Sequence, residues 1–216
     1  SRRPDEPTEP VARFDRGQIF IMLYRGEYWQ CGYVIPKGGF EEIRRGGLEA
    51  FRERLATVAL YAGERAGELR SWEDVKLLTV RVDRLERWYR LGLLCIGDAA
   101  HAMSPIGGVG INLALQDAVA AANLLGAPLS DGRVDVAHLH RVQRRRELPT
   151  RLTQWLQVTI QKRVIARVLR GAGPLRPPWP LRLLAETPLL TRIPARLIGI
   201  GARPEHVRTP VRRTSA

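Results

Sequence analysis

Cysteine is scarce in this sequence: Cys31 and Cys95 lie far apart and form neither a CxxC pair nor a ligand cluster. Both sit in apolar, strand-like runs and are expected to be reduced core residues. Lysine is nearly missing, found only at Lys37, Lys76 and Lys162, so the excess of 35 basic over 22 acidic residues (net charge +13) is carried by arginine. Those arginines are scattered, and zinc-finger spacing, basic-zipper heptads and an aromatic RNA platform are all lacking, so no nucleic-acid partner is expected. Peripheral membrane contact through the arginine-studded stretch Leu181 to Ile200 is left open. An apolar leader is also lacking, because the first ten residues, SRRPDEPTEP, are polar and proline-rich. The longest stretch free of Asp, Glu, Lys and Arg, Ala99 to Gln116, is interrupted by Pro105, Gly107, Gly108, Gly110 and Asn112 and makes a poor membrane span. Together these absences point to a reducing, cytoplasmic setting.

What is present suits one globular domain or two small ones: 216 residues, 44% hydrophobic and 26% charged. Gln18 to Tyr24 and Glu27 to Ile35 are β-branched and aromatic runs separated by Arg25 and Gly26, the pattern of a hairpin. Tyr24, Trp29, Cys31 and Tyr33 lie on this hairpin, and alternate members either face a substrate cavity or pack on a neighbouring helix. Leu48 to about Tyr61 carries helical spacing, and Val75 to Val82 is expected to be a third strand. Leu91 to Ile96 is a nearly uniform apolar run of the kind expected when a strand is buried on both faces.

A helix is expected from Ile111 to Leu125, closed by Gly126 and Pro128, and a second from Val136 to about Leu169, broken or kinked at Pro149. Eight of the 15 prolines lie beyond residue 170, so the tail reads as short turns and helical pieces. Arg141, Arg144, Arg145 and Arg146 are expected to form a solvated helix face. His138 and His140 are too few for a metal and are expected at the surface.

The chemistry lies in Gly97 to Ala118, GDAAHAMSPIGGVGINLALQDA. An apolar strand delivers Asp98 at its carboxyl end, where open sheets place their ligands. Gly107, Gly108 and Gly110 then strip side chains from the backbone just ahead of a helix. The first turn of a helix has free N–H groups and a partial positive charge, worth about 0.3 to 1 kcal/mol to a nearby anion. One carboxylate to accept hydroxyl hydrogen bonds, beside a bare electropositive helix start, suits a flavin: a ribityl chain of hydroxyls and a ring edge that becomes negative on reduction.

The pattern GDAAH, Pro105, Gly107, Gly110, Asn112, Asp117 and Ala118 resembles the second flavin motif of the aromatic-hydroxylase class of FAD-dependent monooxygenases, the p-hydroxybenzoate hydroxylase and UbiH-like group. Arg87 and Trp88 resemble the Arg-Trp pair before that strand, and Gly201, Arg203, Pro204, Glu205 and His206 resemble a terminal segment of UbiH-like members. The amino-terminal GxGxxG of the family is not found. Gly108 to Leu113 has leucine where a third glycine belongs and follows a proline loop, not a strand. The 216 residues are therefore expected to be the carboxyl-terminal part of a longer flavoprotein, inactive and weak in FAD binding when alone.

The resemblance implies an α+β fold: residues 1–88 the remainder of a substrate-binding domain, 89–132 the strand, loop and helix of the FAD-binding domain, and 133–216 a helical carboxyl-terminal region. It implies that Asp98 bonds the ribityl chain and that Gly97, Pro105, Gly107, Gly108, Val109, Gly110, Ile111 and Asn112 line the cofactor, with the Ile111 and Asn112 amides facing the pyrimidine edge. Pro105 is the implied catalytic residue, its carbonyl beside the isoalloxazine and the substrate hydroxyl. His101 is expected to be structural. The implied activity is NAD(P)H- and O2-dependent hydroxylation of an aromatic or apolar small molecule. The alternatives are a flavin-dependent halogenase or isoprenoid reductase, and a non-catalytic basic binding module.

Overall fold

The computed structural model describes residues 1–15, 17–59, 61, 63–105, 108–169, 171, 196 and 199–208. Strands and helices mix in an α+β fold, and contacts divide the chain into two units, Ser1–Thr79 with Ile160–Arg176 and Val80–Thr159 with Pro177–Ala216. Most of the proline-rich tail, including nearly all of residues 181–200, lies outside the described residues.

In the first unit the expected hairpin forms as β2 (Gln18–Tyr24) and β3 (Trp29–Val34), and β1 (Val11–Asp15), which the sequence reading missed, adds to its edge in an antiparallel sheet of order β1-β2-β3. Register pairs Phe20 with Tyr33, Met22 with Cys31 and Tyr24 with Trp29, so these six share one face. Phe20, Met22 and Trp29 of that face pack with Phe51, Leu55, Val58 and Ala59, contributed mainly by α2 (Leu48–Val58), with Tyr33 against the same cluster. Of the two readings of the hairpin residues, packing on a helix is thus the one found for Trp29 and Tyr33. A short helix not anticipated from sequence, α1 (Phe40–Arg45), precedes α2. Glu6 joins the amino-terminal segment to this core, accepting from Trp29 Nε1 at 2.8 Å and pairing with Arg65 at 2.5 Å.

Three expectations need correction. Val75 to Val82 forms no strand, and Leu77 and Leu78 are exposed, because among the described residues no neighbouring strand accepts its hydrogen bonds. The Leu91 to Ile96 run yields only β6 (Leu93–Leu94), paired with β5 (Tyr89–Arg90) in a two-stranded ribbon. Leu91 and Leu93 are exposed, so this strand is not covered on both faces. The cysteines are not core residues: Cys31 is exposed and Cys95 half-buried, both as free thiols.

The second unit is built on α3 (Val109–Ser130) and α4 (Val136–Ile160). Leu125, Leu139 and Val142 form its apolar cluster, with Tyr89, Leu94, Ala121 and Leu124 packed on it. By length and composition α3 could cross a membrane. It runs past Gly126 and through Pro128, ending where Gly132 (φ 65°) takes the left-handed conformation and donates to Leu129 O. α4 likewise runs through Pro149, so the break that was one of the two expectations there does not occur. It continues into a π-helical turn (Gln161–Ile165) and α5 (Ala166–Leu169).

α4 has a polar buried face. Gln143 donates to Glu86 O at 2.8 Å and accepts the Trp88 amide at 3.0 Å. Gln154 donates to Asp83 O and Ala102 O at 2.6 and 3.1 Å. Gln157 donates to Ser104 O and accepts the Ser104 amide, at 2.8 and 3.1 Å. These side-chain amides supply backbone groups of β4 (Asp83–Arg84), β7 (His101–Ala102) and the loop after it with the partners that a longer sheet would otherwise provide.

Candidate functional site

The ribbon leads, through Cys95 N–H donating to Trp88 O at 2.7 Å, to a 3-10 turn at Gly97–Ala99. Gly97 is buried at φ +56°, and a Cβ there would stand 3.0 Å from the Ala114 Cβ on α3, so the close packing of turn on helix requires glycine. Asp98, next along, is exposed, and its carboxylate has no partner among the described residues. The chain returns through β7 and runs beside the start of α3, where a Cβ on Gly110 would lie 3.5 Å from that of Met103.

At the head of α3, Gly108 is the N-cap in the left-handed conformation (φ 63°), with open space where a Cβ would project. Its N–H donates to Pro105 O at 3.1 Å, and Pro105 is exposed. Gly107 lies outside the described residues. Val109 is buried, whereas Ile111 is 74% exposed and Asn112 donates its side-chain amide to Gly199 O at 3.2 Å. In the helical pattern the Asn112 N–H belongs to the Gly108 carbonyl, so the first-turn amides without an i−4 acceptor are those of Val109, Gly110 and Ile111. No acidic side chain stands in that turn to neutralise it.

Beneath the turn lies a charged cluster that the sequence reading did not assemble. Asp117 and Arg146 are fully buried, with side chains 0% exposed, and Arg146 Nε donates to Asp117 Oδ1 at 2.9 Å. Oδ2 accepts the Gly97 N–H at 3.1 Å and meets His101 Nε2 at 2.6 Å. His101 is buried as well, its ring 5.0 Å from that of buried Trp88. Burial opposes the Asp117 charge, but the hydrogen bonds from His101, Arg146 and Gly97 outweigh it and hold the carboxyl below the usual aspartate range. Arg146 therefore corrects the expectation of a solvated arginine face. Arg141 and Arg144 are exposed, Arg145 pairs with Glu205 at 2.5 Å, and Arg146 points inward. The signal that could have found it is helical phase, since Leu139, Val142, Arg146 and Pro149 follow one another at three- and four-residue steps along the buried face.

The terminal segment meets the same elements: Arg203 O accepts from Arg146 Nη1 at 2.9 Å and His206 O from Asn123 at 2.8 Å. His138 lies at the start of α4 with its amide on Asp135 at 2.8 Å, and His140 is exposed. Among the described residues no group of three or more His, Cys, Asp and Glu is placed to hold a metal ion.

Asp98 was expected at a strand end; it stands instead in a 3-10 turn three residues beyond β6, packed through Gly97 on α3. Residues 10–156 match the FAD binding domain family, and the chain belongs to that family. It is 36% identical over 205 residues to 6-methylpretetramide 4-monooxygenase of Streptomyces rimosus, covering 94% of this chain and 48% of that protein. Over 161 residues it is 31% identical to the FAD-dependent monooxygenase spyC of Aspergillus fumigatus, covering 65% of this chain and 34% of the other. In fold it is similar to PqsL, a probable FAD-dependent monooxygenase from Pseudomonas aeruginosa, with a TM-score of 0.58 at 20% identity over 79% of this chain and 47% of PqsL. The chain spans about half the length of the first of these relatives.

Proposed function

We propose that this chain supplies the ribityl and ring-edge side of the FAD site in an FAD-dependent monooxygenase, with NAD(P)H as reductant and a small aromatic molecule as substrate. The observation that carries the reading is the exposed, unpartnered Asp98 carboxylate on a turn packed against α3, a helix whose first turn has no side-chain cap and no acidic residue, in a chain of the FAD binding domain family. These residues fit the cofactor: the carboxylate would accept hydrogen bonds from ribityl hydroxyls, and the amides of Val109, Gly110 and Ile111 would donate to the electron-rich edge of the ring. At the left-handed Gly108 no described residue stands within 4 Å of where a side chain would project, which leaves room for a flat group. Bound FAD would supply the two-electron redox chemistry and the activation of oxygen. Pro105, exposed at the entry to α3, retains a second carbonyl lone pair for a substrate hydroxyl.

The aromatic substrate class is supported by the names of two similar proteins, 6-methylpretetramide 4-monooxygenase and the PqsL structure in complex with 2-aminobenzoylacetate. In this reading residues 1–88 belong to the substrate-binding part, 89–132 to the FAD-binding part and 133–216 to the helical carboxyl-terminal region. The two free thiols suit a reducing, cytoplasmic setting.

Expressed in frame with its upstream coding sequence, the protein is expected to be yellow and to hydroxylate an aromatic acceptor at the expense of NAD(P)H and O2. Asp98→Ala is expected to weaken FAD by roughly tenfold or more, since a charge-assisted hydrogen bond is worth about 1.5 to 3 kcal/mol. Equal FAD retention in the two forms by equilibrium dialysis overturns the assignment.

A further inference from the structure

We propose that Asp117 is a positioning residue: one of its carboxylate oxygens clamps both ends of the turn that carries Asp98, and so sets where the ligand-binding carboxylate stands. Asp98 lies between Gly97 and His101 in sequence. The Gly97 N–H donates to Asp117 Oδ2 at 3.1 Å, and His101 Nε2 meets the same atom at 2.6 Å. A turn tied at both ends to a single buried atom has little freedom to move the side chain between them. An ionised carboxylate only accepts hydrogen bonds, so the bond to His101 requires the ring proton on Nε2.

The clamp is itself held. Arg146 Nε donates to Asp117 Oδ1 at 2.9 Å, while its Nη1 donates to Arg203 O at 2.9 Å and its Nη2 to Gln116 Oε1 at 3.3 Å. The guanidinium therefore keeps a buried carboxylate charged and fixes its rotamer from a different helix. Gly97 packed on Ala114 brings the turn close enough to α3 for Asp117, one helical turn further on, to reach it. The consequence for ligand binding rests on the flavin reading of Asp98; the clamp does not.

The test uses the 216-residue chain as wild type, Asp98→Asn and Asp117→Asn, with amide hydrogen exchange and with riboflavin as a probe that carries the ring and ribityl chain alone. Asp117→Asn is expected to speed exchange at Gly97 and Asp98 about tenfold more than within α4, and to weaken riboflavin as much as Asp98→Asn does, although Asp98 is intact. A wild-type exchange rate at Gly97 in Asp117→Asn overturns the clamp. A loosened turn with undiminished riboflavin affinity overturns its link to the ligand. If wild type binds riboflavin no better than Asp98→Asn while the turn loosens in Asp117→Asn, the flavin reading of Asp98 falls and the clamp stands. Should Asp117→Asn not fold, nitrogen NMR of the wild-type His101 ring decides: a proton on Nε2 supports the clamp, and a bare Nε2 overturns it.

Discussion

At the scale of single residues, position in the helix outweighs residue type. Arg144 and Arg146 are near neighbours in one basic run, yet the first is exposed and the second is fully buried against Asp117. Arg146→Leu is expected to cost about 3–5 kcal/mol because it strands a buried charge. Arg144→Leu is expected to stay within about 0.5 kcal/mol, and urea unfolding of the two variants measures the contrast. Glycines divide in the same way. Gly97→Ala must bear both a positive φ and a 3.0 Å approach to Ala114, whereas Gly108→Ala bears only the backbone strain, about 1–2 kcal/mol. The first is therefore expected to lower stability more than the second in the same urea series. The glycine-led entry to α3 was legible because those residue types suit few alternatives. Arg146 was not, because counting charges in a run ignores the phase at which each one meets the core.

Among elements, the long helices and the hairpin were legible, whereas α1 and the short strands were not. α2, α3 and α4 follow from apolar spacing inside the chain, with ends that shifted, as where α3 continues past Gly126 to Ser130. Val75 to Val82 and Leu91 to Ile96 have the composition of strands, but a strand depends on what lies beside it, and that is not written in its own residues. The glutamines of α4 take over part of that role. Gln154→Leu would leave the carbonyls of Asp83 and Ala102 without this donor, and is expected to cost about 1–3 kcal/mol for a buried unsatisfied group, read as a lower Tm.

For the whole molecule, each unit contains a buried carboxylate with a depressed pKa: Glu6 in the first and Asp117 in the second. Burial works to raise Glu6, but hydrogen bonds from Trp29, Arg65 and the Arg3 amide outweigh it and take the carboxyl from 4.5 to about 2. As pH falls below 4.5 the unfolded chain takes up the proton first, so folding loses stability until Glu6 itself titrates near pH 2. Asp117 acts in the same direction. Circular dichroism of urea unfolding at stepped pH is expected to show the loss across that window, and Glu6→Gln is expected to flatten it.

The three glutamines of α4 have one further effect. They grip peptide groups of residues 83, 86, 88, 102 and 104, and Gln154 Oε1 also accepts from the Arg84 side chain at 3.0 Å. Where the grip is on a peptide group the anchorage is indifferent to identity: those positions can exchange one amino acid for another without letting go of the scaffold, whereas Arg84 cannot.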